Sequence, residues 1–136
     1  MSVESYRSTL QRQTKDRSGI EQDKAHQRKK VGNLLKDIGD ARKSSTQTSS
    51  ASMQRTYLNR IESKQKDLAR AQHALARLDG KLASKTAEIN RTIKSLEQAE
   101  ASARLRQDSA DKERRRVQQR HADEMTRAAR EQARIH

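Results

Sequence analysis

Residues 61–96 read IESKQKDLARAQHALARLDGKLASKTAEINRTIKSL, and every seventh position of this stretch, from its first residue onward, is a large apolar side chain. The series stays apolar through nine consecutive positions: Ile61, Leu68, Leu75, Leu82, Ile89, Leu96, Ala103, Ala110 and Val117. A strict seven-residue spacing keeps an apolar stripe turned toward one partner only when helices wind around each other with a left-handed supercoil. The pattern therefore predicts coiled-coil packing, and these nine positions are the predicted interaction seam.

The first part of the chain carries a second seam. Alternating steps of three and four residues lead from Val3 to Ala41, and eight of the twelve positions on this path are apolar, including Val31, Leu34 and Ile38. Four polar residues interrupt it: Gln13, Arg17, Lys24 and Gln27. Polar residues at seam positions can select register and partner at some cost in stability. The other interpretation is that this part of the helix faces solvent, and the sequence leaves both open.

A stretch rich in serine and threonine separates the two seams. Residues 44–52 read SSTQTSSAS, and their hydroxyls compete for backbone hydrogen bonds, which favours turns and helix starts. We therefore predict a first helix over 1–43, a turn over 44–52, a second helix over 53–106 paired with the first, and a charged helical extension over 107–136. The predicted fold class is all-α: a long antiparallel helical hairpin or coiled coil with an overhanging C-terminal helix.

The composition indicates that this hairpin needs a partner. Only 30% of the residues are hydrophobic and 36% are charged, whereas globular domains have about 45 to 50% apolar and a quarter charged residues. A first helix of this length would cover the second only from Met53 to about Leu96. Ala103, Ala110 and Val117 would then need another chain. We expect a homo-oligomer, or association with another helical or effector protein.

The positive charge of the chain suggests an alternative function. The sequence has 31 Lys and Arg against 18 Asp and Glu, a net charge of +13. Non-specific binding to nucleic acid needs little more than several cations on one face, since they contact the phosphate backbone. Two short basic runs supply the candidate phosphate contacts: Arg28, Lys29, Lys30, Arg114, Arg115 and Arg116. The competing interpretation is that both runs are ordinary solvated helix surface.

Other function classes lack their sequence signals. There is no cysteine, and the four histidines, His26, His73, His121 and His136, are too far apart in sequence for a metal-binding motif. The four glycines are isolated, so no glycine-rich phosphate loop is present. We expect no enzymatic activity, no cofactor and no metal. With no apolar run long enough for a membrane span and no secretory signal, we expect a cytoplasmic protein without membrane insertion.

One segment carries a resemblance to a known class of proteins. Residues 48–89 read TSSASMQRTYLNRIESKQKDLARAQHALARLDGKLASKTAEI, and their most distinctive part is the Ser/Thr-rich turn followed by Arg60, Ile61 and Glu62. This segment resembles the N-terminal helical region of bacterial phage-defence effector proteins, where a helical hairpin precedes an effector domain, often a Toll/interleukin-1 receptor-like (TIR) domain. The resemblance covers most of residues 1–115. It implies an oligomerisation or interaction module that scaffolds or regulates an antiphage effector. The sequence ends at His136 before any such domain, so no catalytic residue is carried over.

Overall fold

A computed structural model describes residues 2–135, which form two α-helices. Helix α1 spans Val3–Gln47 and helix α2 spans Ala51–Ile135. The described residues contain no strand, and the two helices pack against each other as an antiparallel hairpin. The prediction of an all-α helical hairpin is confirmed. Met1 of the predicted first helix and His136 of the predicted extension lie outside the described residues.

Serine side chains cap the start of each helix. The backbone N–H of Ser5 donates to Ser2 Oγ at 3.1 Å, at the beginning of α1. The backbone N–H of Met53 donates to Ser50 Oγ at 3.3 Å, at the beginning of α2. The first amides of an α-helix have no partner within the helix, so a hydroxyl acceptor at this position stabilises the helix start.

The connection between the helices is shorter than predicted. It comprises residues 48–50, whereas the sequence predicted a turn over 44–52. The Ser45 and Thr46 hydroxyls donate to backbone carbonyls of the preceding turn, those of Arg42 and Lys43, both at 2.8 Å. Because these hydroxyls bond back into their own helix, the polar stretch completes another turn of α1 before the chain reverses.

The hairpin unit comprises Ser8–Thr92, and its core is one narrow line of small and medium apolar residues. The buried members are Leu34, Ile38 and Ala41 on α1 and Ile61, Ala71 and Ile89 on α2. At one end of this line Ile38, Ala41 and Ile61 form a cluster against which Leu68 packs. Among the described residues no large side chain is completely shielded from solvent. The core of the hairpin unit is therefore a single line of contacts between two helices, and it lacks the depth of a globular core.

Ion pairs between the helices show their antiparallel alignment. Going along α1 toward its N-terminus, the paired residues of α2 move toward its C-terminus: Asp37 with Lys64 at 3.4 Å, Lys24 with Asp79, and Asp16 with Lys85 at 3.8 Å. All three carboxylates are about half exposed, and exposed ion pairs typically contribute less than about 1 kcal/mol each. Their main effect is on register, because a shifted alignment would separate each charge from its partner.

The remaining described residues, 2–7 and 93–135, form a second unit. Its only inter-helix ion pair in the described residues joins Arg7 to Glu100, at 3.4 Å. A shallow groove beside this pair is lined by residues of both helices: Ser2, Val3, Tyr6, Ser95, Gln98, Ala99, Ser102 and Arg106. From residue 107 to residue 135 every side chain except Asp111 is exposed. We call residues 107–135 the extension; it is helical throughout.

Replacing Ile38 with alanine is expected to lower the free energy of unfolding by about 2 to 4 kcal/mol, because the substitution removes buried apolar surface and leaves a cavity. Leu35 supplies the matched control, since it lies on the neighbouring turn of α1 and is 53% exposed. Leu35→Ala should cost less than about 1 kcal/mol. Urea unfolding followed by circular dichroism measures both values, and equal losses would contradict the placement of the seam.

Candidate interaction surface

Most of the predicted interaction seam is covered by the chain's own first helix. Within the hairpin unit Ile61 and Ile89 are buried, and Leu68, Leu75 and Leu82 are partly buried. The residues predicted on the other helix also face this interface: Leu34 and Ile38 are buried, and Val31 is partly buried. The seam from Ile61 to Ile89 therefore forms the intramolecular interface of the hairpin unit.

The second seam position of each repeat lies three residues after the first, and at two places it is also buried in the interface. Ala71 is the most shielded residue of the core, at 2% exposure, and Thr92 is 9% exposed. The Thr92 hydroxyl donates to the Glu88 carbonyl at 3.0 Å, which satisfies it inside its own helix. Leu58 and Ile93 are large and apolar, yet they are 58% and 37% exposed. A small side chain at the seam lets helices approach closely, so size at these positions matters more than hydrophobicity.

In the second unit the seam passes from covered to uncovered. Leu96 and Ala103 are partly buried, in the unit that also contains the first residues of α1. Ala110 is exposed, and Val117 is 53% exposed. The expectation that Ala103, Ala110 and Val117 need another chain stays a prediction. Ala110 and Val117 are the seam residues that the described part of the chain leaves without a covering helix.

The polar residues of the α1 seam face the interface. Gln13, Arg17, Lys24 and Gln27 are all partly buried, so the interpretation that they simply face solvent is wrong. Lys24 reaches Asp79 on α2 and its side chain is only 19% exposed. The Oε1 atom of Gln13 is buried and has no hydrogen-bond partner among the described residues. A buried acceptor without a donor costs roughly 1 to 3 kcal/mol, so this position lowers the stability of the hairpin unit.

The two predicted basic runs lie on exposed surface of different units. Arg28, Lys29 and Lys30 are all exposed on α1. Arg114, Arg115 and Arg116 are exposed on the extension. Two of them lie near acids of their own helix: Arg114 is 3.9 Å from Asp111 and Arg116 is 3.7 Å from Glu113. The structure leaves all six candidate residues accessible, and it joins neither run to an acid of the other helix.

The described residues contain neither a metal-binding cluster nor a membrane span. Among residues 2–135 no three side chains of the metal-binding types come together at one place. Neither helix, over its described length, has an apolar stretch that could cross a membrane. His26, His73 and His121 are exposed helix residues, and His136 lies outside the described residues.

Comparison with known proteins adds no relative. No protein-family model, no curated protein and no solved structure matches this chain. The functional interpretation of the candidate surface therefore rests on the geometry of the chain alone.

Replacing Gln13 with leucine is expected to raise the free energy of unfolding by about 1 kcal/mol or more, because the substitution removes a buried acceptor that lacks a donor and adds apolar burial. Gln11→Leu is the matched control, since Gln11 is exposed on the same turn and the chemical change is identical. The control should change stability by less than about 0.5 kcal/mol. Destabilisation by Gln13→Leu in urea unfolding would show that the Gln13 amide has a partner in solution.

Proposed function

We propose that this chain is a non-enzymatic helical interaction module that associates with a second copy of itself through the extension. The observation that carries the proposal is the state of Val117. This residue is in phase with the seam that α1 covers at Ile61 and Ile89, yet it is 53% exposed. An apolar seam that continues past its covering helix provides a surface that another helix can cover.

The seam continues along one face of the extension as far as Ile135. With about 100° of rotation per residue, five of its residues fall within an arc of about 40°: Ala110, Val117, His121, Ala128 and Ile135. We call these five residues the extension stripe. All of them are exposed, and Ile135 is 80% exposed. The stripe is narrow and has two large apolar residues, Val117 and Ile135, which suits packing against one other helix.

A second copy is the partner that the geometry favours. Two copies related by a twofold axis cover each other's extension stripe with the same residues, so both exposed seams are removed from water at once. Full burial of one valine or isoleucine stabilises by roughly 1.5 to 3 kcal/mol. With two large residues per stripe, part of that gain offsets the entropy of association, and we expect a dimer that dissociates on dilution.

The resemblance to phage-defence effectors suggests what such association would achieve. In that arrangement the helical module precedes an effector domain, and joining two modules brings two effector domains close together. We propose that the module scaffolds or regulates a bacterial antiphage effector in this way. The resemblance supports this second step, and the exposed seam supports the first.

The double substitution Ala110→Asp with Val117→Asp is expected to abolish association, because it places four carboxylates in the dimer seam. The matched control is Ser109→Asp with Gln118→Asp, which adds the same charge at neighbouring exposed residues turned by about 100° from the stripe. Sedimentation velocity over a range of protein concentrations should show dimers for the unmodified protein and for the control, and monomers for the seam variant.

Two results would contradict this function. One is a helical monomer at every concentration of the unmodified protein. The other is equal dissociation of the seam variant and its control, which would mean that added negative charge acts without regard to position. Circular dichroism of each variant shows whether the extension is still helical, since loss of the helix would remove the stripe itself.

A further inference from the structure

The cations of the C-terminal quarter are almost all arginines, whereas the rest of the chain has arginine and lysine in similar numbers. Residues 1–100 contain ten arginines and eleven lysines, whereas residues 101–136 contain nine arginines and one lysine. Arginine presents a planar fork of donors that matches a phosphate with two parallel hydrogen bonds, and its guanidinium is less strongly hydrated than an ammonium group. The change in residue type favours a surface that contacts oxyanions.

These cations are also aligned. With about 100° per residue, six of them fall within an arc of about 80° on one side of the extension: Lys112, Arg116, Arg120, Arg127, Arg130 and Arg134. We call these six residues the arginine ridge. At about 1.5 Å per residue the ridge is roughly 33 Å long. Asp123 is the one acid within the arc, and Gln119 Nε2 donates to its Oδ1 at 3.2 Å.

The ridge is open to solvent, and its cations make few ion pairs with the described acids. All six side chains belong to exposed residues. Arg116 lies 3.7 Å from Glu113 in an exposed pair on its own helix, and the other five make no ion pair among the described residues. In the hairpin unit, by contrast, Lys24, Lys64 and Lys85 are each paired with an acid of the opposite helix. The cations of the ridge are therefore accessible to a partner.

We infer that the arginine ridge binds the phosphate backbone of duplex nucleic acid without sequence specificity. One turn of a duplex measures about 34 Å, close to the length of the ridge, and the phosphates supply a dense row of negative charge over that distance. A bare α-helix is also thin enough to lie in a major groove about 12 Å wide. A linear array of cations on a single exposed helix is complementary to this partner in charge, length and width.

Other polyanions fit the ridge less well. Single strands are held largely by stacking of bases on aromatic side chains, and residues 101–136 contain no Phe, Trp or Tyr. A membrane surface requires a broad apolar face with Trp, Phe or Leu next to the cations, whereas the extension has only small or isolated apolar residues. An acidic polypeptide offers carboxylates to the same guanidinium groups, so it enters the test as a competing occupant.

Binding of a duplex to the arginine ridge does not depend on self-association of the chain. The centre of the arginine ridge is turned by about 120° from the centre of the extension stripe. One face of the extension can contact a duplex while another face packs on a second copy. A monomer and a dimer both present the ridge, so either can bind.

The test measures binding to fluorescently labelled duplex DNA of about three helical turns, by anisotropy, at several salt concentrations. Each phosphate contact contributes about 0.9 to the slope of log affinity against log salt, so six contacts predict a slope near −5. The triple substitution Arg120→Gln, Arg127→Gln and Arg134→Gln should reduce the slope to about −3 and weaken binding by about 500-fold near 0.1 M salt. Glutamine is a good helix former, so the extension should stay helical.

The matched control removes the same charge from the exposed run on α1, by Arg28→Gln, Lys29→Gln and Lys30→Gln. It should leave both the slope and the affinity close to those of the unmodified protein. The triple change of Arg120, Arg127 and Arg134 to lysine keeps the charge and should keep the slope. Sedimentation of these variants should match the unmodified protein, which separates a failure of this inference from a failure of self-association.

Four results would overturn the inference. Equal weakening by the ridge variant and the α1 variant would show that binding follows net charge. Tighter binding of a single strand of the same length, or equally tight binding of polyglutamate, would identify a different occupant. An unchanged slope and affinity in the glutamine variant, with helix content retained in circular dichroism, would show that the ridge does not contact the phosphates.

Discussion

The apolar seam of α2 can leave water only by packing against another helix, and the rest of the structure depends on this constraint. A single helix cannot bury its own apolar stripe, because side chains seven residues apart lie on the same face of that helix. In the hairpin unit α1 supplies the cover, and the cluster of Ile38, Ala41 and Ile61 is the result. The short connection at residues 48–50 makes this cover intramolecular.

The unequal length of the helices decides which surface stays available. Helix α1 has 45 residues and helix α2 has 85, so α1 cannot cover the whole seam. The covered part gives the hairpin unit its stability, and the uncovered part at Ala110 and Val117 supports the proposed association. The same exposure leaves the cations of the extension without acids of another helix nearby. Both proposed surfaces therefore have one cause, which is the lack of a covering helix along residues 107–135.

Polar residues limit how strongly the hairpin unit holds together. Gln13 leaves a buried acceptor without a donor, and Lys24 occupies a seam position that a leucine would fill with greater apolar burial. In return, the pairing of Lys24 with Asp79 penalises a shifted register, because a slip would leave the mostly buried ammonium group without its acid. These polar residues therefore favour one register of the two helices and lower the free energy of unfolding of the hairpin unit.

Periodicity was enough to predict the helices, the hairpin and the seam, because the repeat from Ile61 to Val117 is a property of the chain itself and has few three-dimensional solutions. The sequence could not place the connection, since the hydroxyls of Ser45 and Thr46 can end a helix or bond back into it, and only the folded chain selects between these. It also could not show that Ala71 is the most shielded residue of the core, because burial depends on what lies opposite. The order of residues determined which side chains share a face of a helix. The tertiary structure alone decided which faces are covered, because cover comes from residues distant in sequence.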